Sequence, residues 1–136
     1  MRTILLDTSA YVRFLAGDEK VLTCLARAGR VGMSIFVLGE LLAGFRVGTR
    51  DKQNREILDR FLAKPSVAVL DATRETAEYF GLIKVGLKKS GRPIPLNDVW
   101  IAAHALEMGA VLVTYDFHFR AVPGLRTWDE LGEPEP

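Results

Sequence analysis

The chain has 136 residues, of which 49% are hydrophobic and 26% charged, and its formal net charge is +1. That balance belongs to a soluble globular domain long enough for one real core. It excludes a membrane-spanning protein, which needs about 18 consecutive apolar residues, and a disulfide scaffold, since Cys24 is the single cysteine. No global basic field announces nucleic acid, although a local patch would suffice. The apolar run after Met1 is too short for a secretory leader, so a cytoplasmic location is expected.

In chain order, Thr3–Leu6 is a short apolar run ending at Asp7 and reads as a buried first strand. Thr8 or Ser9 can cap a helix over Ala10–Ala16 that stops at Gly17. Asp18 caps a second helix, Glu19–Ala28, closed by Gly29. Val31–Ser34 is a second strand. Ile35–Phe45 reads as a helix that is apolar all round except for Glu40, which implies burial on most sides. Thr49 can cap a basic helix, Arg50–Leu62. Val67–Leu70 is a third strand ending at Asp71, and Thr73 opens a long helix to about Lys89. Pro93 and Pro95 enforce a loop. Asn97 then suits the N-cap of a helix that ends at Gly109. Ala110–Thr114 is a fourth strand ending near Asp116, and a Pro123-Gly124 turn leads to a short fifth strand around Leu125–Trp128. Residues 1–130 are expected to form one domain, and 131–136 a disordered tail.

Strands alternating with helices imply an α/β fold with a mainly parallel sheet of about five strands, covered on both faces. Ligands of such sheets sit beyond the carboxyl ends of the strands. That rule puts Asp7 and Asp116 at one edge. It puts the start of the helix at Asp98 near the opposite edge, unless the loop over 90–96 folds back.

Four acids stand out. Asp7 and Asp116 follow strands. Glu40 sits inside an apolar helix with no Lys or Arg three or four residues away, and acids are rarely buried unless paired or metal-bound. Asp98 shares a helix face with Ile101, Ala102 and Ala105, the side that meets the core. If the four converge, each pair about 5 Å apart repels by roughly 3 kcal/mol at an effective dielectric near 20. Divalent cations relieve that repulsion, and carboxylate oxygens suit Mg²⁺ or Mn²⁺ better than zinc. Acids holding such ions hydrolyse phosphodiesters with metal-activated water attacking in line.

Asp7-Thr8-Ser9, Glu40 in its apolar helix, Asn97-Asp98 followed by Ile101-Ala102-Ala103, and Thr114-Tyr115-Asp116-Phe117-His118-Phe119 together resemble the PIN-domain nucleases. The length and the ending Val122-Pro123-Gly124-Leu125 are most similar to the toxin ribonucleases of VapBC toxin–antitoxin pairs. The resemblance implies a PIN-like three-layer α/β/α sandwich and a Mg²⁺- or Mn²⁺-dependent endoribonuclease. It also implies an RNA substrate and a homodimer inhibited by a cognate antitoxin. It makes Asp7, Glu40, Asp98 and Asp116 the catalytic and metal-binding residues, supported by Thr8, Ser9, Asn97 and Thr114. His118 stands where family members often carry another acid and is read as a loop histidine, while His104 is read as a packing or surface residue. Arg46, Arg50, Lys52 and Arg55, and the group Lys84, Lys88, Lys89 and Arg92, are candidate phosphate contacts. Phe36, Val37, Phe45 and Val47 are expected to leave an apolar groove for an antitoxin helix.

Two other readings compete. A phospho-receiver domain also combines a parallel sheet with Mg²⁺-binding acids. It needs an adjacent acidic pair after strand one and a lysine after the last core strand. Here Thr8 follows Asp7, no lysine follows position 89, and Glu40 is left unexplained. A PIN scaffold with only a binding role would show a broken acidic set, whereas this set is intact.

Overall fold

The computed structural model describes residues 2–128. Four strands form one parallel sheet in the order β3-β2-β1-β4. They are β1 (Arg2–Leu6), β2 (Ala28–Ser34), β3 (Val67–Leu70) and β4 (Val111–Val113). β1 is central and fully buried from Ile4 to Leu6, which is why it reads as an unbroken apolar run. Gly32 of β2 lies where an added Cβ would come within 2.9 Å of the Leu5 side chain, so the missing side chain lets its neighbours pack into that space.

The expected fifth strand is reduced to a single bridge. Leu112 donates its N–H to the Arg126 carbonyl, the Trp128 N–H returns to the Leu112 carbonyl, and only Thr127 pairs with Leu112. β4 itself is three residues long, so it offers a neighbour little ladder. The expected tail over 131–136 lies outside the described residues.

Six α-helices connect the strands: α1 (Thr8–Leu15), α2 (Glu19–Arg27), α3 (Ile35–Val47), α4 (Asp51–Leu62), α5 (Arg74–Ser90) and α6 (Leu96–Glu107). Four local expectations change. Asp7, not Thr8 or Ser9, caps α1, because its extended backbone lets its carboxylate reach the Ala10 N–H. α2 runs straight into β2 at Ala28, with no closure at Gly29. α4 starts after Arg50 without a side-chain cap, so Thr49 plays no capping part; its first turn is held instead by Asp51 paired to Arg55 at 2.8 Å. α6 starts after Pro95, whose fixed φ suits a helix start, and Asn97 therefore lies inside the first turn rather than at its cap. Thr73 does cap α5, in a reciprocal box with Thr76.

Two aromatic clusters pack beside the sheet, the first around buried Tyr11 and Phe61 and the second half-buried. Tyr11 and Phe14 of α1 meet Phe61 of α4 with ring centroids 5.2–5.7 Å apart. Trp100 of α6 is stacked between Phe36 of α3 and Phe80 of α5, at 5.0 and 4.1 Å. Val37 and Phe45 belong to the core and Phe36 is held by Trp100, so the expected groove does not form; of its four residues only Val47 is exposed, at 90%. α3 buries Val37, Leu38, Leu41 and Phe45 on one side and leaves Ile35, Gly39, Ala43 and Gly44 exposed, so the expected burial on most sides does not hold; the core takes the large apolar side chains, where they are most stable.

α5 and α6 form an antiparallel hairpin. Thr76 near the start of α5 donates to Glu107 at the end of α6, at 2.7 Å. Gly91 turns the chain with a φ of +67°, a conformation that favours glycine. The loop over 90–96 thus folds back and brings the start of α6 to the carboxyl edge of the sheet. Strand order reverses between β1 and β4, which leaves a crevice at that edge.

Candidate active site

The crevice contains a cavity of about 400 Å³ lined by Asp7, Thr8, Ser9, Val12, Arg13, Glu40, Asp98, Ile101 and Asp116. Four elements each deliver one acid. Asp7 follows β1 and caps α1, Glu40 is in the middle of α3, Asp98 is in the first turn of α6, and Asp116 caps the 3-10 helix Phe117–Ala121.

Asp7 is 4% exposed and fully engaged. Its Oδ1 accepts from the Ala10 N–H at 2.8 Å and from Ser9 Oγ at 2.7 Å, and its Oδ2 accepts from Thr114 Oγ1. Burial raises its pKa above the ordinary carboxylate value, the three hydrogen bonds pull it down, and the Asp116 charge adds to the rise. Thr114 in turn accepts from the Asp116 N–H at 2.9 Å, and Ser9 accepts from the Tyr115 N–H at 3.1 Å. The loop after β4 is therefore hung on the same two hydroxyls that hold Asp7. Thr8 donates to Glu40 Oε1, which turns the one acid of an apolar helix toward the cavity.

Asp98 has a pKa pushed up to about 6, first by burial, then by the Asp116 charge; His118 opposes the rise and Glu40 adds to it. Asp116 Oδ1 accepts from the His118 N–H at 2.9 Å. The His118 ring lies 3.0 Å from Asp116 Oδ1 and 3.4 Å from Asp98 Oδ2 through Nδ1. One ligand atom from each of Asp98, Asp116 and His118 falls within 4.8 Å of the other two.

The structure brings together the four acids with Thr8 and Ser9, and sets Thr114 behind Asp7. Asn97 does not line the cavity. His118 faces two acids rather than standing apart in its loop. His104 is a buried structural residue: its Nδ1 lies 2.8 Å from Ser34 Oγ and its Nε2 3.1 Å from the Asp71 carbonyl. Arg13 went unnoticed in the sequence. It is the sole cation among the described lining residues, and its guanidinium lies 4.2 Å above the Tyr115 ring, whose hydroxyl donates to Asp18. A helical count would have found it, because Val12 and Arg13 lie four residues after Thr8 and Ser9 on α1.

Oxygen donors dominate this site, the carboxylates repel one another, and one arginine cannot balance them. That donor set fits a hard divalent cation.

The PIN domain family model matches residues 4–125. The chain belongs to the PIN-domain family, among its VapC-type ribonucleases. Ribonuclease VapC2 of Haemophilus influenzae is 32% identical over 132 residues, covering 93% of this chain and 97% of that protein. The VapBC-1 structure from nontypeable Haemophilus influenzae superposes with a TM-score of 0.82 at 27% identity, covering 93% and 96% of the two chains. VapBC2 from Rickettsia felis, solved on a DNA fragment from its promoter, gives 0.79 at 28% identity, covering 93% and 97%. The family accounts for the parallel sheet flanked by helices. No helix among the described residues of this PIN domain is long and apolar enough to cross a membrane.

Proposed function

We propose that the chain is a Mg²⁺- or Mn²⁺-dependent endoribonuclease, the toxin of a type II toxin–antitoxin pair, and that Asp7, Glu40, Asp98 and Asp116 are its catalytic acids. The observation that carries the reading is the convergence of four carboxylates, one from each of four elements, on one cavity. The four acids would hold the ion. When bound, it neutralises their charge and supplies Lewis acidity to water and phosphate.

The remaining work falls to the chain itself. Ser9, Thr114 and the Ala10 N–H hold both oxygens of Asp7, so its geometry is set before substrate arrives. Thr8 orients Glu40. Arg13 is poised to grip an RNA phosphate at the cavity wall, where a guanidinium matches phosphate oxygens two at a time. Hydrolysis breaks one P–O bond of the RNA backbone, with water adding to phosphorus and the departing oxygen taking a proton.

The partner is a small antitoxin that lays a helix near residues 35–60 and inserts an Arg or Lys among the four acids. The VapBC complexes to which the chain is similar support this reading, as does the excess of carboxylates. Exposed Val12, Leu15 and Val47 offer apolar contact in place of the groove that α3 does not form. The toxin acts in the cytoplasm as a homodimer, and exposed Leu82 and Val85, three residues apart on α5, are an apolar strip that such an interface would cover. RNA cleavage with Mg²⁺ or Mn²⁺ tests the enzyme. Cleavage should stop with EDTA and be largely lost in Asp98→Asn. Undiminished cleavage by metal-free protein would refute the reading.

A further inference from the structure

We propose that His118 is a metal ligand through Nδ1, and that with Asp98 and Asp116 it gives the centre a preference for Mn²⁺ over Mg²⁺. The inference rests on the metal-dependent reading above and adds a nitrogen to its ligands.

The geometry is prepared for it. Nδ1 lies 3.0 Å from Asp116 Oδ1 and 3.4 Å from Asp98 Oδ2, and the three donor atoms are close enough to share one ion. The His118 side chain is 54% exposed, so core packing does not explain its inward-facing nitrogen. Its position is built by the backbone. The Asp116 carboxylate accepts the His118 N–H, and the Asp116 N–H is held by Thr114, which also holds Asp7. Histidine and acid are thus fixed to each other and to the floor of the site.

Chemistry then decides the metal. Mg²⁺ favours oxygen ligands in strict octahedral geometry and parts with water reluctantly. Imidazole nitrogen suits transition ions, and Mn²⁺ accepts it alongside carboxylates. As a ligand the ring is neutral, with its proton on Nε2 and the Nδ1 lone pair on the ion. The alternative is that the ring carries its proton on Nδ1 and only bridges the two carboxylates.

Pulsed electron paramagnetic resonance on Mn²⁺ bound to the full chain, without RNA, separates the two. Nitrogen-14 coupling from a directly bound imidazole is expected in the wild type. It should vanish in His118→Ala, with Mn²⁺ affinity falling by about tenfold or more and Mg²⁺ affinity moving less. His118→Asp should bind both ions without nitrogen coupling and shift the preference toward Mg²⁺. Mn²⁺ bound without nitrogen coupling in the wild type, or with the same coupling in His118→Ala, overturns the proposal and leaves the carboxylate site standing. A wild type that binds Mg²⁺ but no Mn²⁺ overturns this proposal alone, and one that binds neither ion overturns both readings.

Discussion

Asp98 is the residue at which stability and the proposed function oppose each other. Burial and the neighbouring acids lift its pKa from 3.8 to about 6, so the folded state holds its proton more tightly than the unfolded state. Without metal, its effect on stability is therefore most favourable below about pH 4 and is lost as pH rises through 6. Buried Asp7, raised in the same direction, adds to the trend. The melting temperature measured in EDTA should show a falling contribution across that window, with a shallower slope in Asp98→Asn. At pH 7 in EDTA, Asp98→Asn should be more stable than wild type by roughly 1–3 kcal/mol, because it keeps the shape and removes the charge. It should also lose most of the stabilisation that Mn²⁺ gives the wild type, which for one site at a hundredfold excess over Kd is about 2.7 kcal/mol. Arg13 behaves differently. Arg13→Ala should raise KM for RNA by roughly tenfold with a smaller change in kcat, since a phosphate grip of this kind is made in ground and transition states alike.

At the scale of elements, the site depends on how α3 and α6 are clasped together. His104 of α6 binds Ser34, the residue that caps α3, and reaches the Asp71 carbonyl beyond β3. Trp100, one turn earlier, stacks on Phe36 of α3. These two contacts fix the spacing between the helix that carries Glu40 and the helix that carries Asp98. His104→Ala removes a buried ring and leaves the Ser34 hydroxyl and the Asp71 carbonyl without it. A loss of roughly 2–4 kcal/mol is expected in denaturant unfolding. Metal affinity, measured well below the melting temperature, should also fall, because the two acids are no longer held in register. A variant with unchanged stability would show that His104 is not part of the clasp.

At the scale of the whole molecule, the cavity lies where the strand order turns back, between β1 and β4. Connections leave this point in opposite directions, which leaves a crevice there open toward the acids. A cavity with four carboxylates and one lining arginine is a receptor for cations. Under the proposed function it takes the metal in the active enzyme and a basic side chain of the antitoxin in the silent one. Replacing the antitoxin's inserted Arg or Lys by alanine should weaken inhibition by tenfold or more, as expected when a buried charge pair loses one member. Unchanged inhibition would show that the partner closes the site by covering it rather than by filling it.

Much of this arrangement is legible in the chain alone. Buried parallel strands betray themselves as short unbroken apolar runs, so β1 and β4 stand out; β3 is equally apolar although it is an edge strand with Ala68 and Val69 exposed, and an acid in a mostly apolar helix marks Glu40 as unusual. The ordered set of motifs carries the family. Local capping is less legible. Asp7, Thr8 and Ser9 are all competent N-caps, and the choice among them depends on where β1 leaves the backbone. The apolar stripe of α3 does not say whether it meets the core or a partner, because hydrophobic burial is non-directional; only the packed neighbours decide, and they take Val37 and Phe45 inward. Arg13 and His118 follow the same logic. The sequence by itself determines which residues are able to bind metal or phosphate, since that is a property of side-chain chemistry. Their partners are distant in the chain, and only the tertiary structure brings Asp7 to Thr114 and Asp98 to His118 within hydrogen-bonding reach and sets a ligand atom of Asp116 within 4.8 Å of Asp98.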